Sequence, residues 1–263
     1  MPASGLERRF GGVRRLYGEA ATRFMGAHVC VVGVGGVGSW VVEGLARNGI
    51  GILTLIDLDM VAESNTNRQI QALGAEYGKA KVDVLAARAR AIHPAIEVRV
   101  IEDFVTPENV AALLPPNALP RPLVIDAIDQ TRAKAALIAH CRDNGLPIVT
   151  TGAAGGKKDP TLIRRADLAF CAHDPLLAKV RALLRREYGF PHAASPKAPE
   201  KFGVTALYSS ESVQRPVAGC ALGDAPQGLS CAGYGSSVCV TASMGFAACA
   251  AALEMIGERE ADS

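Results

Sequence analysis

Gly33, Gly35, Gly36 and Gly38 follow an apolar run containing Val29, Val31 and Val32, and this spacing makes an anion cradle the first chemistry the chain offers. Glycines are required where a strand turns sharply into a helix, because a Cβ would block both the turn and the approach of phosphate oxygens. The amides of the helix that follows then face the anion. Asp57, at the end of a second apolar run (Ile52 to Ile56), is an acid about 20 positions further on, where a ribose hydroxyl would be bound. By itself this pattern suits NAD, FAD or ATP equally. Three further groups bear on the choice: Arg68, which closes the polar run from Ser64 through Asn65, then Lys81, then Asp129. A triphosphate with Mg²⁺ calls for cationic donors and a carboxylate for the metal, whereas a pyrophosphate is largely served by the helix N-terminus. Together the three favour ATP, with Asp129 as the carboxylate for Mg²⁺.

Those groups need a scaffold that gathers them at one edge. Residues 27–59 read as a βαβ unit, and an alanine-rich helix follows near 79–92, stopped by His93 before Pro94. Further strands are predicted at Glu97 to Ile101, at 123–129 with Asp126 and Asp129 at its end, and within 147–156. Thr106-Pro107 opens a short helix, and another runs from Thr131 to Gly145. Five β/α alternations define an α/β fold, a doubly wound, mostly parallel Rossmann-like sheet with a C-terminal strand and helix extension. That extension has a strand within 161–170, a helix at 174–189, a strand at 204–212 and a terminal helix at 236–257. A basic helical lead-in covers 6–25. The reading is one domain over 1–263, with a nucleotide-binding core at 27–156, an extension at 157–263 and a flexible segment at 190–203.

Net charge is +2, so any nucleic-acid surface must come from local clustering. The seven cysteines include no C-x-x-C pair, which suits a reducing cytoplasm and gives no reason to expect structural zinc. The N-terminal stretch lacks the apolar core of a signal peptide. Residues 236–257 are weakly apolar but rich in Ala, Ser, Gly and Thr, so a buried helix and no membrane contact is expected. His93 and His173 read as solvated turn residues, and Cys231, in a Gly-rich loop, is the best-placed thiol for chemistry.

The runs G-x-G-G-x-G, D-L-D, S-N-T-N-R-Q, G-K-A-K and I-D-A-I-D resemble the adenylating domain of the ubiquitin-activating enzymes and their bacterial relatives. The resemblance implies ATP-dependent adenylation of a carboxylate by a homodimer. Asp57 would hold the ribose, Asn65, Arg68 and Lys81 would contact phosphates, Asp129 would work with Mg²⁺, and Arg9 would reach into the partner subunit's site. Relatives that activate sulfur-carrier proteins usually carry two C-x-x-C pairs, absent here. The runs RRFGGVRRLYGE, DFVTPENV, DAIDQTRAKAALIAHCR, TTGAAGG and DPLLAKVRALL resemble instead the branch of tRNA threonylcarbamoyladenosine dehydratases. That branch implies activation of the threonylcarbamoyl carboxylate beside the anticodon, followed by ring closure and release of AMP. It also implies a cysteine-desulfurase and sulfur-acceptor system as a partner. A tRNA substrate needs a basic footprint, for which Lys157, Lys158, Arg164, Arg165, Lys179, Arg181, Arg185 and Arg186 are the candidates. The alternatives are an activator of a ubiquitin-like or sulfur-carrier protein tail, an NAD-dependent oxidoreductase and a non-catalytic nucleotide-binding adaptor.

Overall fold

Every residue of β1 (His28–Val32) is buried, as expected of a strand covered on both faces. The computed structural model describes residues 5–192, 200–214 and 234–258. In chain order, α1 (Gly5–Tyr17) and α2 (Ala20–Gly26) precede β1, α3 (Gly38–Arg47), β2 (Ile52–Ile56), α4 (Lys81–Ile92) and β3 (Glu97–Ile101). Then come α5 (Val110–Leu113), β4 (Leu123–Asp126), α6 (Thr131–Asp143) and β5 (Ile148–Thr151). The last elements are β6 (Ile163–Asp167), α7 (Pro175–Glu187), β7 (Thr205–Ser209) and α8 (Val238–Glu258).

The strands form one seven-stranded sheet in the order β3-β2-β1-β4-β5-β7-β6. All neighbours are parallel except β6 and β7. The chain reverses its direction of travel across the sheet between β3 and β4, so a crevice opens beyond the C-terminal ends of β1 and β4. Strand alternation divides the core in two. Val29, Val31, Leu53, Leu55 and Ile125 pack with α3, α4 and α8, while Cys30, Val32, Ile56 and Val124 pack with α5, α6 and α7.

Several predicted elements change on folding. The lead-in breaks into two helices around Gly18, whose φ of +57° no helix interior accommodates. The strand expected over 123–129 ends at Asp126, because its carboxylate Oδ1 accepts from the Ile128 amide (3.1 Å) and bends the chain. Thr106-Pro107 opens a turn rather than a helix, since the Asn109 side chain accepts from the Thr106 amide (2.7 Å) and α5 starts only at Val110. β7 inserts between β5 and β6, an order no local pattern carried.

The helix α8 is long and apolar enough to cross a membrane by length and composition alone. Here it packs against α3: Gly44 lies against Cys249, and Gly245 against Trp40 and the Val37 carbonyl. Small residues let the two backbones approach this closely, which is why the helix is Ala- and Gly-rich rather than Leu-rich. Within the 190–203 segment expected to be flexible, 193–199 lie outside the described residues. Its described ends are packed, with Phe190 and Phe202 buried and their rings edge-on at 4.9 Å.

Candidate active site

The glycine turn leaves β1 at Gly33, whose φ of +82° lies in the left-handed region, with the Ala127 carbonyl 3.0 Å from where a Cβ would stand. At Gly38 the constraint is harder, because a Cβ would overlap the Gly33 carbonyl oxygen. The turn is braced by Asp57, whose Oδ2 accepts from the Val34 amide (2.8 Å) and Oδ1 from the Asp59 amide (2.9 Å). Burial pushes the Asp57 carboxyl up from its ordinary value of 3.8, against the pull of those amides and of Lys81. Each Asp57 oxygen retains a further acceptor site beside its amide bond, and Asp57 lines the cavity described below.

Lys81 opens α4. Its Nζ lies 2.7 Å from Asp59 Oδ2 and its amide donates to the Asp59 carbonyl (3.0 Å). The antiparallel bridge between Met60 and Ala80 folds the connection back so that these two meet. Sequence reading passed over Asp59, although its place in D-L-D, next to the expected ribose acid, was a signal. Asn65 is buried and its Oδ1 accepts from the Ala62 amide (3.0 Å). The Arg68 guanidinium is held by the Ser64 carbonyl (2.7 Å) and Asn67 Oδ1 (3.1 Å), while its own carbonyl accepts from Trp40 Nε1 (3.0 Å) and Thr241 Oγ1 (3.3 Å). Trp40 and Thr241, from α3 and α8, were also missed, since only packing brings them to this loop.

These parts enclose a cavity of about 290 Å³. It is lined by Gly33, Gly35, Gly36, Asp57, Asn65, Arg68, Lys81 and Asp129, together with Asp59, Phe104, the 151–154 loop and Leu176. Gly38 stands behind the turn and does not line it. Asp129 is exposed, on the loop between β4 and α6. Asp129 is one of four carboxylates lining the cavity, with Asp57, Asp59 and Asp103, and an exposed carboxylate there could serve Mg²⁺, which takes one or two carboxylates and completes its shell with phosphate oxygens and water. Among the described residues no group of three or more His, Cys, Asp or Glu could hold a metal by itself.

Arg9 is not part of this cavity within its own chain. Its Nη1 donates to the Ile92 carbonyl (3.0 Å), at the far end of the 12-residue α4. Since α4 begins at Lys81, the backbone positions these two cations attach to are separated by about 16 Å of helix.

The expected basic footprint is reduced by burial. Lys157 is buried, its Nζ donating to the Ser209 carbonyl (2.9 Å) and standing 3.6 Å from Asp174 Oδ2, so it is corrected to an internal residue. Arg181 and Arg185 turn toward the protein: one Arg181 guanidinium nitrogen is buried without a hydrogen-bond partner among the described residues, and Arg185 donates to the Pro191 carbonyl (3.0 Å) beneath the Phe202 ring. Arg165 pairs with Glu254 and Arg186 with Glu187. Lys158, Arg164 and Lys179 are exposed.

His93 is corrected in the same way. It is buried against the edge of Phe10, with neither ring nitrogen hydrogen-bonded among the described residues, and burial and Arg9 lower its pKa from 6.5. His173 is exposed, with a φ of +59°. Cys30, Cys141, Cys171 and Cys249 are buried thiols, that of Cys141 pushed up to about 12 by burial. Cys231 lies outside the described residues.

The fold and the glycine turn define an α/β protein of the nucleotide-binding type, whose cavity gathers Arg68 and Lys81 with the carboxylates of Asp57, Asp59, Asp103 and Asp129. The chain belongs to the ThiF family, whose profile matches residues 13–257. It is 48% identical over 254 residues to the tRNA threonylcarbamoyladenosine dehydratase of Escherichia coli, covering 94% of this chain and 92% of that protein. The dehydratase of Haemophilus influenzae is 45% identical, over 91% of this chain and 90% of its own length. A crystal structure of the E. coli enzyme in complex with ATP superposes with a TM-score of 0.85 at 46% identity, covering 97% of this chain and 96% of that one.

Proposed function

We infer that the chain is an ATP-dependent tRNA threonylcarbamoyladenosine dehydratase. The observation that carries this reading is the convergence of Gly33, Gly35, Gly36, Asp57, Asn65, Arg68, Lys81 and Asp129 on one cavity, in a chain alike over nearly its full length to dehydratases, one seen with ATP. Similarity to a dehydratase over 94% of the chain favours this reading over an oxidoreductase or a protein-tail activator.

ATP lies with its phosphates on the glycine turn and its ribose at Asp57. The threonylcarbamoyl carboxylate attacks the α-phosphorus, forming the acyl adenylate and expelling pyrophosphate. Negative charge grows on the phosphoryl oxygens, where Arg68 and Lys81 are pre-placed to receive it and Asn65 to orient it. Asp129 would hold Mg²⁺, which supplies charge neutralisation at the phosphates when bound. The substrate's own carbamoyl group then attacks the activated carbonyl, closing the ring and releasing AMP. The reacting groups are already tethered, so this second step needs no enzyme nucleophile.

The reading extends to assembly. The enzyme is a single adenylating domain that works as a homodimer in the cytoplasm, with Arg9 completing the phosphate end of the partner's cavity, and sulfur-transfer proteins are its proposed associates. Arg9 is remote from its own cavity and exposed, which supports a role in trans. Lys158, Arg164 and Lys179 are the proposed tRNA contacts among the described residues, with Arg165 and Arg186 available by exchanging their carboxylate partners for phosphate.

The test is incubation with ATP, Mg²⁺ and tRNA carrying or lacking the threonylcarbamoyl group, followed by nucleoside mass and AMP measurement. Loss of one water from the modified nucleoside with matching AMP is expected. AMP without that loss, or formation only with a protein tail, would overturn the reading.

A further inference from the structure

Beneath the loop that carries Asp129 lies an ion pair with no exposure at either partner: Lys134 Nζ stands 2.8 Å from Asp126 Oδ2. Sequence reading placed Asp126 at the strand end without a role and gave Lys134 none. Two charges taken fully out of water are costly, and well-packed apolar residues of similar volume are often as stable or more so. Stability alone therefore does not account for the pair. What distinguishes it is the number of elements it joins. Asp126 Oδ2 also accepts from Thr150 Oγ1 (2.7 Å), and Oδ1 accepts from the Ile128 amide (3.1 Å). Lys134 Nζ also contacts Thr150 Oγ1 (3.1 Å) and the Asp126 carbonyl (3.3 Å), and its own amide donates to the Gln130 carbonyl (3.0 Å). The network thus ties β4, β5 and the first turn of α6 to the four-residue loop Ala127–Gln130 between them. All four loop residues line the cavity. The loop's first amide donates to the Val32 carbonyl (2.9 Å), and its Ala127 carbonyl is the group that crowds Gly33, so the same loop is registered against the glycine turn.

We propose that Asp126 and Lys134 are positioning residues, a buried and internally neutral clamp that holds the Ala127–Gln130 loop so that Asp129 meets the metal–triphosphate group without reorganisation. Their charges cancel within the clamp, so it adds no net charge to the cavity and acts through geometry. The proposal rests on the reading of Asp129 as the Mg²⁺ carboxylate.

The decisive comparison uses the apolar variant Asp126→Leu/Lys134→Met/Thr150→Val, which removes the buried polar groups together and strands no charge. Thermal melting is measured beside the Mg²⁺ titration of binding of a fluorescent ATP analogue to the full-length protein. The expected result is a melting midpoint near wild type with the Mg²⁺ requirement for binding raised about tenfold, the scale seen when groups supporting a metal ligand are removed. In an Asp129→Asn background the same triple change should add no further shift, because the clamp acts only through Asp129. A folded triple variant with the wild-type Mg²⁺ titration overturns the proposal. If the triple variant does not fold, Asp126→Asn carries the comparison, since it keeps the Asp126 carbonyl contact to Lys134 but weakens the side-chain clamp. An unchanged titration there also overturns it. Failure of the underlying reading is separable: Asp129→Asn alone would then leave the Mg²⁺ titration unchanged.

Discussion

Replacing Lys81 by Met separates a phosphate donor from an ordinary ion-pair partner. The Lys81 side chain is only 6% exposed, whereas its partner Asp59 is 53% exposed. A pair with one half in solvent contributes about 1 kcal/mol or less. Met retains most of the buried aliphatic stem, so the melting midpoint should fall by no more than a few degrees. In the reaction, by contrast, Lys81 is asked to meet charge that develops on the phosphates, and loss of one such pre-placed donor costs on the order of 100-fold in rate, about 2.7 kcal/mol. The assay is AMP release with modified tRNA as substrate, run beside thermal melting. Asp59→Asn is the control: it breaks the same pair but leaves the cation, and should cost at most a few-fold. A second readout comes from Asp57. Its carboxyl is already raised by burial, and Lys81 is among the groups that pull it down. Without Lys81 the Asp57 pKa rises further, so the acid limb of any residual activity should move to higher pH. Activity within a few-fold of wild type in Lys81→Met, or equal losses in Lys81→Met and Asp59→Asn, would show that Lys81 serves the pair and not the phosphates.

Gly38→Ala should abolish nucleotide binding and lower stability, because the added Cβ meets the Gly33 carbonyl, a backbone atom that cannot swing aside. Wild-type ATP-analogue binding would refute the close-approach argument. His93 contributes to pH dependence with a definite sign: its folded pKa lies below 6.5, so the unfolded chain takes the proton first as pH falls, and the stability present above 6.5 is lost below it. His28, lowered by burial in the same direction, adds to this. Each can steepen the loss by up to about 1.4 kcal/mol per pH unit, and His93→Leu should flatten the melting midpoint between neutral and mildly acidic pH. An equally steep variant would count against this assignment. For Arg9, mixing inactive Arg9→Ala and Lys81→Met subunits should restore about a quarter of wild-type activity, since half the dimers are mixed and each holds one intact site. No restoration on mixing would confine Arg9 to its own subunit.

The sequence by itself determined the βαβ unit, the parallel sheet and most of the charged residues that line the cavity. These are legible because each is local: a glycine is required wherever a Cβ would strike backbone, buried parallel strands read as apolar runs, and a ligand at the C-terminal edge draws its residues from the ends of successive strands. Asp57, Arg68, Lys81 and Asp129 are all found this way. Tertiary structure decided what depends on neighbours distant in the chain. Lys157 reads as a surface cation until β7 closes over it and Asp174 receives it, and His93 reads as a turn residue until α1 lays Phe10 against it. Asp126 and Lys134 are eight positions apart, and only the return of the chain from β4 into α6 places them in one desolvated pair. Charge type is written in the sequence. Whether that charge faces water, a phosphate or an opposite charge is fixed by which surfaces fold together, because burial and pairing are properties of the packed chain.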